Sequence, residues 1–178
     1  MLVFLVGFMG SGKTTAGKLA AQKNNFSFID LDAVIEIKTG KSITQLFQEK
    51  GQDYFRETET TTLHELAGRT NTIVSVGGGC PCINNNMEWM LEHGIVIYLK
   101  AHHGNLFHRL MPAKKDRPLI AGLTDVQLME YITNQLPVRE KFYSKAQFII
   151  DTATEQPEEL SSKITAIIYS EMPESVHQ

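Results

Sequence analysis

The stretch Gly7-Phe8-Met9-Gly10-Ser11-Gly12-Lys13-Thr14 has the form G-x-x-x-x-G-K-[ST] and follows an apolar run from Leu2 to Val6. In such a loop the backbone N–H groups face inward around phosphates, the lysine reaches the terminal phosphates, and the final hydroxyl ligates Mg²⁺. Glycine is required because a Cβ would block the tight path of the chain and the approach of the phosphates. A helical pattern from Lys13 to Lys23 follows. This strand, loop and helix predict binding of a nucleoside triphosphate.

The size and composition of the chain exclude several classes of protein. Its 178 residues suit one compact domain, and 42% hydrophobic with 21% charged residues is typical of a globular protein. A net charge of -3 argues against general nucleic-acid binding. No apolar stretch approaches the roughly 20 residues that cross a bilayer. Because the N-terminal apolar run passes into the phosphate loop instead of forming a signal peptide, we expect a cytoplasmic location.

Strand-like and helical segments alternate along the chain, which indicates an α/β fold with a parallel sheet between helices. The strand-like runs are Leu2 to Val6, Phe26 to Ile29, Thr72 to Val76, Ile95 to Leu99 and Gln147 to Ile150. Helices are predicted for Lys13 to Lys23, Asp32 to Thr39, Ser42 to Lys50, Asp53 to Ala67, Asn85 to Glu92, Gly104 to Leu110, Thr124 to Tyr143 and Pro157 to Tyr169. Within the long helix from Thr124, Pro137 is expected to cause a kink or a break.

One segment does not fit this alternation. Residues 111–123 contain two prolines and four charged side chains, and we interpret them as a lid; a plain connecting loop is the alternative. Residues 1–170 are expected to form a single domain built around the phosphate loop. Residues 171–178 are polar and contain Pro173, which is typical of a frayed C-terminal tail.

Polar or glycine-rich residues follow two of the predicted strands, where open α/β sheets bind their ligands. Asp30 and Asp32 come after the second strand; one carboxylate can support Mg²⁺ while the other accepts a hydrogen bond from a substrate hydroxyl. Capping of the next helix is the alternative role for such an aspartate. Gly77-Gly78-Gly79 follows the third strand and indicates that something approaches the backbone closely, although a turn would explain one or two of these glycines.

Four arginines are candidates for binding anions, since a guanidinium group forms paired hydrogen bonds to carboxylates and phosphates. They are Arg56, Arg109, Arg117 and Arg139. Ordinary solvated surface positions are the alternative for each of them. Cys80 and Cys82 flank Pro81 without the two-residue spacer of zinc or redox pairs, so we interpret them as ordinary thiols.

Seven landmarks in order make the chain resemble the shikimate kinase family. They are GFMGSGKT at 7–14, DLD at 30–32, TGKSI at 39–43, FRETE at 55–59, GGG at 77–79, RPLI at 117–120 and REKFY at 139–143. The resemblance implies transfer of the ATP γ-phosphate to the 3-hydroxyl of shikimate, within aromatic amino-acid biosynthesis. It also implies the nucleoside monophosphate kinase fold, a five-stranded parallel sheet of order 2-3-1-4-5. The implied partners are ATP and shikimate, with Mg²⁺ as cofactor, and we expect a monomer that binds neither nucleic acid nor membrane.

The same resemblance implies a role for individual residues. The catalytic residues would be Lys13, Asp32 and Arg117. ATP would contact Gly10, Ser11, Gly12, Lys13, Thr14, Thr15, Arg109, Arg117 and Gln156. Shikimate would contact Asp32, Arg56, Gly77, Gly78, Gly79 and Arg139. The Mg²⁺ ligands would be Thr14 directly and Asp30 through water.

Other functions share part of this pattern. Another small-metabolite kinase of the same fold, such as a gluconate kinase or a nucleoside monophosphate kinase, would have the same loop and lid. A GTPase is disfavoured because no N-K-x-D sequence is present. A regulatory module that binds ATP without turnover is an alternative of another class. Cys80-Pro81-Cys82 and residues 111–115 depart from the family pattern as we know it.

Overall fold

A parallel sheet of five strands lies at the centre of the fold, in a computed structural model that describes residues 1–114, 117, 119–153 and 156–172. The strands are β1 (Leu2–Val6), β2 (Ser27–Asp30), β3 (Thr72–Ser75), β4 (Ile95–Lys100) and β5 (Phe148–Asp151). They are hydrogen-bonded in the order β2-β3-β1-β4-β5, and every neighbouring pair is parallel. The predicted α/β architecture and strand order are therefore confirmed.

Seven helices are present in the described part of the chain. They are α1 (Lys13–Asn24), α2 (Leu31–Thr39), α3 (Ile43–His64), α4 (Asn86–His93), α5 (His103–Leu110), α6 (Asp125–Tyr143) and α7 (Pro157–Ser170), with a 3₁₀ turn at Cys80–Cys82. The helices cover both faces of the sheet. Phe4 of β1 belongs to one buried cluster, while Val3 and Leu5 belong to a second cluster on the opposite face, with residues of α1 and α7. This explains why β1 is apolar at every position.

Several predicted boundaries differ from those observed. The break expected between two helices near residue 51 corresponds to Gly51, whose φ of 84° and ψ of 173° interrupt α3. Helix α3 ends at His64 and not at Ala67, because the chain then turns towards Gly68, where φ is 78°. At Pro137 the helix is not broken, since α6 continues through it to Tyr143. Strand β2 is shifted by one residue, so that Asp30 is its last member.

The predicted lid, residues 111–123, is held at both of its ends. Ile120 is fully buried in the core, and the Lys114 ammonium donates to the Leu123 carbonyl at 3.1 Å and to Asp125 at 2.6 Å. Residues 115, 116 and 118 of this segment and residues 173–178 of the predicted tail lie outside the described residues. No helix in the described ranges is long and apolar enough to span a bilayer.

Candidate active site

The phosphate loop joins β1 to α1 at the carboxyl edge of the sheet. Its backbone path depends on glycine: Gly7 has a φ of 143°, and a Cβ there would lie 2.7 Å from the Leu99 carbonyl oxygen. Gly12, with a φ of 96°, caps α1, which begins at Lys13. The first N–H groups of that helix have no partner within the helix and therefore favour an anion. The loop thus presents a site for phosphate, as its sequence predicts.

Lys13 is buried beneath this loop and its ammonium folds back onto the loop itself. The Nζ atom donates to the Gly7 carbonyl at 2.8 Å and to the Phe8 carbonyl at 3.0 Å. Burial lowers the pKa of Lys13 to about 8, although the charge of Asp32 partly opposes this. A bound phosphate would offer the ammonium a charged acceptor in place of two neutral carbonyls.

Asp30 performs two tasks at the end of β2. One carboxylate oxygen accepts a hydrogen bond from the Thr14 hydroxyl at 2.9 Å, and the other accepts from the Ala33 amide at 3.4 Å as the cap of α2. The Ser75 hydroxyl lies 3.4 Å from that of Thr14. The capping role and the metal-supporting role are therefore compatible in one residue.

The oxygens of Thr14 and Asp30 fit a magnesium ion. Mg²⁺ prefers hard oxygen donors and commonly takes only one or two protein carboxylates, with phosphate oxygens and water completing its shell. Within the described residues there is no group of three or more His, Cys, Asp or Glu side chains placed to hold a metal. A metal bound at this point would thus depend on a phosphate ligand for part of its coordination.

Two cavities meet above the carboxyl edge of the sheet. The phosphate-loop cavity has a volume of about 520 Å³, and the second cavity, which opens towards α2 and α3, has a volume of about 540 Å³. Six residues line both of them: Met9, Asp30, Asp32, Gly77, Gly78 and Arg117. Groups bound in the two cavities would therefore meet at this shared wall.

Most of the predicted ATP contacts line the phosphate-loop cavity. They are Gly10, Gly12, Lys13, Thr14, Thr15, Arg109, Arg117 and Gln156. Ser11 is the exception, because it is fully buried and does not line the cavity. Arg109 on α5 donates to the Thr152 carbonyl at 2.8 Å and to the Gly10 carbonyl at 3.4 Å, which ties the loop after β5 to the phosphate loop.

The predicted acceptor contacts line the second cavity. They are Asp32, Arg56, Gly77, Gly78, Gly79 and Arg139. Asp32, in the first turn of α2, has a buried Oδ1 atom that has no hydrogen-bond partner among the described residues. Burial raises the pKa of Asp32, and the charge of Asp30 adds to this, whereas Lys13 and Arg56 oppose it. A carboxyl of this kind, at the shared wall, can accept a proton more readily than an exposed aspartate.

The guanidinium of Arg56 is held by a carboxylate that the sequence did not single out. Glu59, three residues later on α3, is fully buried and accepts from Arg56 Nη1 at 2.6 Å. Burial outweighs the charge and hydrogen bond of Arg56 and raises the pKa of Glu59 to about 7. The i, i+3 spacing of Arg56 and Glu59 is a signal from which an ion pair could have been predicted. The burial of that pair was visible only in the tertiary structure.

Glu59 makes the stability of the fold depend on pH. The pKa of Glu59 is 4.5 in the unfolded chain and about 7 in the folded protein. Its contribution to the free energy of unfolding is therefore fully present below pH 4.5 and is lost as the pH rises through 7. The linkage predicts a loss in the free energy of unfolding of about 2 to 3 kcal/mol between pH 5 and pH 8. Glu59→Gln should not show this loss. Its free energy of unfolding in urea, relative to wild type, should therefore rise by about 2 to 3 kcal/mol over that range.

Glu57→Gln is the matched control, because Glu57 is exposed on the same helix. Its stability curve should run parallel to that of wild type. A Glu59→Gln curve parallel to wild type across the same pH range would contradict the assigned titration.

The three consecutive glycines are explained by side chains that pack closely against their backbone. A Cβ on Gly77 would lie 2.7 Å from Glu59 Oε1, one on Gly78 would lie 3.2 Å from Arg139 Nη1, and one on Gly79 would overlap the Arg56 guanidinium. The sequence predicts that something approaches the backbone of these glycines closely. Side chains of the protein itself make at least part of that approach. The glycines let both arginines lie against the loop that follows β3.

The Cys-Pro-Cys segment forms the 3₁₀ turn after these glycines. Asn86, fully buried, donates to the Cys80 carbonyl at 3.0 Å and to the Thr60 hydroxyl at 3.1 Å, which fixes the turn against α3. Burial raises the pKa of the thiols of Cys80 and Cys82 and so favours their uncharged form. The second cavity also has an apolar lining that no sequence motif predicted, where the rings of Phe47 and Phe55 are 4.7 Å apart.

A parallel sheet of this order, a phosphate loop, and an adjoining cavity with two arginines and a carboxylate define a P-loop kinase that acts on a small acidic molecule. A family model described as "Shikimate kinase" matches residues 9–169. The chain belongs to the shikimate kinase family. Members of this family are ATP-dependent kinases that transfer phosphate to a hydroxyl of shikimate.

Relatives and solved structures agree with this assignment. The shikimate kinase of Bacteroides thetaiotaomicron is 46% identical over 149 residues, which cover 84% of this chain and 85% of that protein. The shikimate kinase of Persephonella marina is 38% identical over 162 residues, which cover 91% of this chain and 95% of that protein. A crystal structure of the Bacteroides thetaiotaomicron enzyme has a TM-score of 0.89 at 40% identity and covers 95% of this chain and 98% of that one. The structure of shikimate kinase from Acinetobacter baumannii in complex with shikimate has a TM-score of 0.87 at 33% identity. The match covers 95% of this chain and 93% of that one.

Proposed function

We propose that this chain transfers the γ-phosphate of ATP to the 3-hydroxyl of shikimate, giving shikimate 3-phosphate and ADP. One observation carries the proposal: the phosphate-loop cavity and the arginine-lined second cavity share a wall that contains Asp32 and Arg117. A donor phosphate and an acceptor hydroxyl bound on the two sides would meet there. A structural relative of 33% identity contains shikimate, which supports the choice of acceptor.

In this proposal the donor lies along the phosphate loop. The backbone N–H groups of Gly10, Ser11, Gly12, Lys13, Thr14 and Thr15 surround the phosphates. Lys13 leaves its two loop carbonyls for the terminal phosphates. Arg109 and Gln156, which line the same cavity, lie against the adenine. Thr14 and Asp30 would hold Mg²⁺, which supplies neutralisation of charge on the phosphates.

The acceptor occupies the second cavity. Arg56 and Arg139 bind its carboxylate, and the backbone of Gly77-Gly78-Gly79 forms the adjacent wall. Asp32 accepts a hydrogen bond from the reacting hydroxyl, whose oxygen attacks the γ-phosphorus as the bond to the ADP oxygen breaks. The unpaired Oδ1 of Asp32 is placed to orient that hydroxyl and to take its proton. Lys13 and Arg117 stabilise negative charge on the transferred group.

The remaining parts of the proposal concern the whole chain. Residues 1–170 act as one domain, a monomer in the cytoplasm, and residues 111–123 act as its lid. Arg117 of that segment lines both cavities, so closure there would surround the transferring phosphate and exclude water as a competing acceptor.

A coupled assay of ADP release with ATP and Mg²⁺ tests the acceptor. We expect release to depend on added shikimate, and gluconate in its place to give only the background rate. Phosphorus NMR of the product should place the new phosphate on the 3-hydroxyl. Equal ADP release with shikimate, with gluconate and without acceptor would reject the assignment.

A further inference from the structure

Arg139 is a buried guanidinium without a carboxylate partner. Its residue is 9% exposed, and no acidic side chain of the described residues forms an ion pair with it. Arg56, by contrast, is fixed by Glu59 at 2.6 Å. A guanidinium that is to form two parallel hydrogen bonds with a carboxylate must be held in one plane. Something other than an ion pair must therefore orient Arg139.

Aromatic residues surround this guanidinium: Phe8 and Tyr131 contact it, and the Tyr143 hydroxyl is also within hydrogen-bonding reach. Arg139 Nη2 donates to the Tyr131 hydroxyl at 3.2 Å, and the guanidinium carbon lies 5.0 Å from the centre of the Phe8 ring. The rings of Phe8 and Tyr131 are themselves in contact, with centres 6.2 Å apart and planes tilted by 57°. The ring face limits movement of the guanidinium in one direction and the hydroxyl fixes its rotation.

Neither aromatic residue reaches the second cavity. Arg139 lines that cavity, whereas Phe8 and Tyr131 do not; Phe8 is 1% exposed and Tyr131 is half-buried. Of these three residues only Arg139 can contact the acceptor directly, so the two rings would act on its carboxylate through Arg139. Tyr131 lies eight residues before Arg139 on α6, in the direction in which long side chains of a helix point.

We propose that Phe8 and Tyr131 form an aromatic seat that positions Arg139 for the acceptor carboxylate. The seat rests on the proposed function, in which Arg139 binds that carboxylate. Tyr131 is a positioning residue and not a catalytic one. Phe8 belongs to the phosphate loop, and its carbonyl accepts from Lys13 at 3.0 Å, so its ring and its backbone connect the acceptor side with the donor side.

Tyr131→Phe tests the seat, because it removes the hydroxyl and retains the ring. Loss of one hydrogen bond to a charged group should raise the KM for shikimate about tenfold. The values of kcat and of the KM for ATP should stay within about twofold of wild type, since neither chemistry nor donor is touched. Tyr169→Phe is the matched control, because Tyr169 is exposed on α7. A second variant, Phe8→Leu, should raise the KM for shikimate as well.

A carboxamide analogue of shikimate distinguishes positioning from a general structural role. With no carboxylate for Arg139 to align, Tyr131→Phe should lower kcat/KM for the analogue by less than about twofold. Likewise, in an Arg139→Met background, adding Tyr131→Phe should cause no further rise in the KM for shikimate. The proposed role of Phe8 and Tyr131 would be rejected by either of two results. One is an equal loss of kcat/KM with shikimate and with its carboxamide, and the other is additive effects of the two substitutions on the KM for shikimate.

The Arg139→Met single variant separates the two levels of the proposal. If it raises the KM for shikimate and Tyr131→Phe does not, the carboxylate contact stands and the seat is rejected. If Arg139→Met leaves that KM unchanged, the proposed carboxylate contact is rejected, and the seat with it. Thermal unfolding midpoints within about 3 °C of wild type show that each variant is folded.

Discussion

Asp32→Asn is expected to lower kcat about 10³-fold while changing the KM values for ATP and shikimate only a few-fold. Asparagine has the same size and can still accept a hydrogen bond, but it cannot take a proton. The Oδ1 atom of Asp32 is buried at the wall that the two cavities share and has no partner within the described ranges. Burial raises the pKa of this carboxyl, which makes it a better proton acceptor than an exposed aspartate.

The measurement is steady-state kinetics from pH 5 to pH 9, since wild type should lose kcat at low pH as Asp32 becomes protonated and the variant should not. Asp53→Asn, at an exposed position of α3, is the control and should behave as wild type. A loss in kcat of less than about tenfold would show that Asp32 orients the hydroxyl without accepting its proton.

Gly79→Ala is expected to raise the KM for shikimate about 100-fold with little change in the KM for ATP. The new Cβ would overlap the Arg56 guanidinium, which donates a hydrogen bond to Glu59. Glu59 is fully buried and lies against Gly77, so the guanidinium can move away only towards the second cavity, which it lines. Arg56 must then leave its place, and the acceptor carboxylate loses a charge-assisted pair of hydrogen bonds.

Gly104→Ala is the matched control for this substitution. A Cβ at Gly104, on α5, would have no heavy atom within 4 Å. Both KM values should therefore stay at wild-type levels in the control. If Gly79→Ala raised the two KM values in parallel, the effect would be a general disturbance of the fold and not a displacement of Arg56.

Local chemistry explains what could be predicted. The strand, loop and helix from Leu2 to Asn24 depend on neighbours in sequence, namely an apolar run, glycines at tight turns and a following helical period. The break at Gly51 followed from the same kind of signal. Pro137 did not break α6, because tertiary packing of buried residues such as Leu136 and Tyr143 overrides a local preference.

The residues that were missed depend on contacts between distant parts of the chain. Glu59 is one of several glutamates on α3, and only its position beneath the glycine loop distinguishes it from exposed Glu57. Tyr131 and Phe8 are 123 positions apart and meet only because α6 packs near the phosphate loop. No periodic pattern in the sequence predicts a contact between residues so far apart.

By itself the sequence determined the kind of ligand at the phosphate loop, because eight consecutive residues carry the whole backbone geometry of a phosphate site. It also placed the chain beside a known family through seven short landmarks. The tertiary structure alone decided which charges are buried and what contacts each arginine: a carboxylate for Arg56, and the Phe8 ring with the Tyr131 hydroxyl for Arg139. Burial and orientation arise from the packing of α2, α3 and α6 around one cavity, and packing is a property of the folded chain.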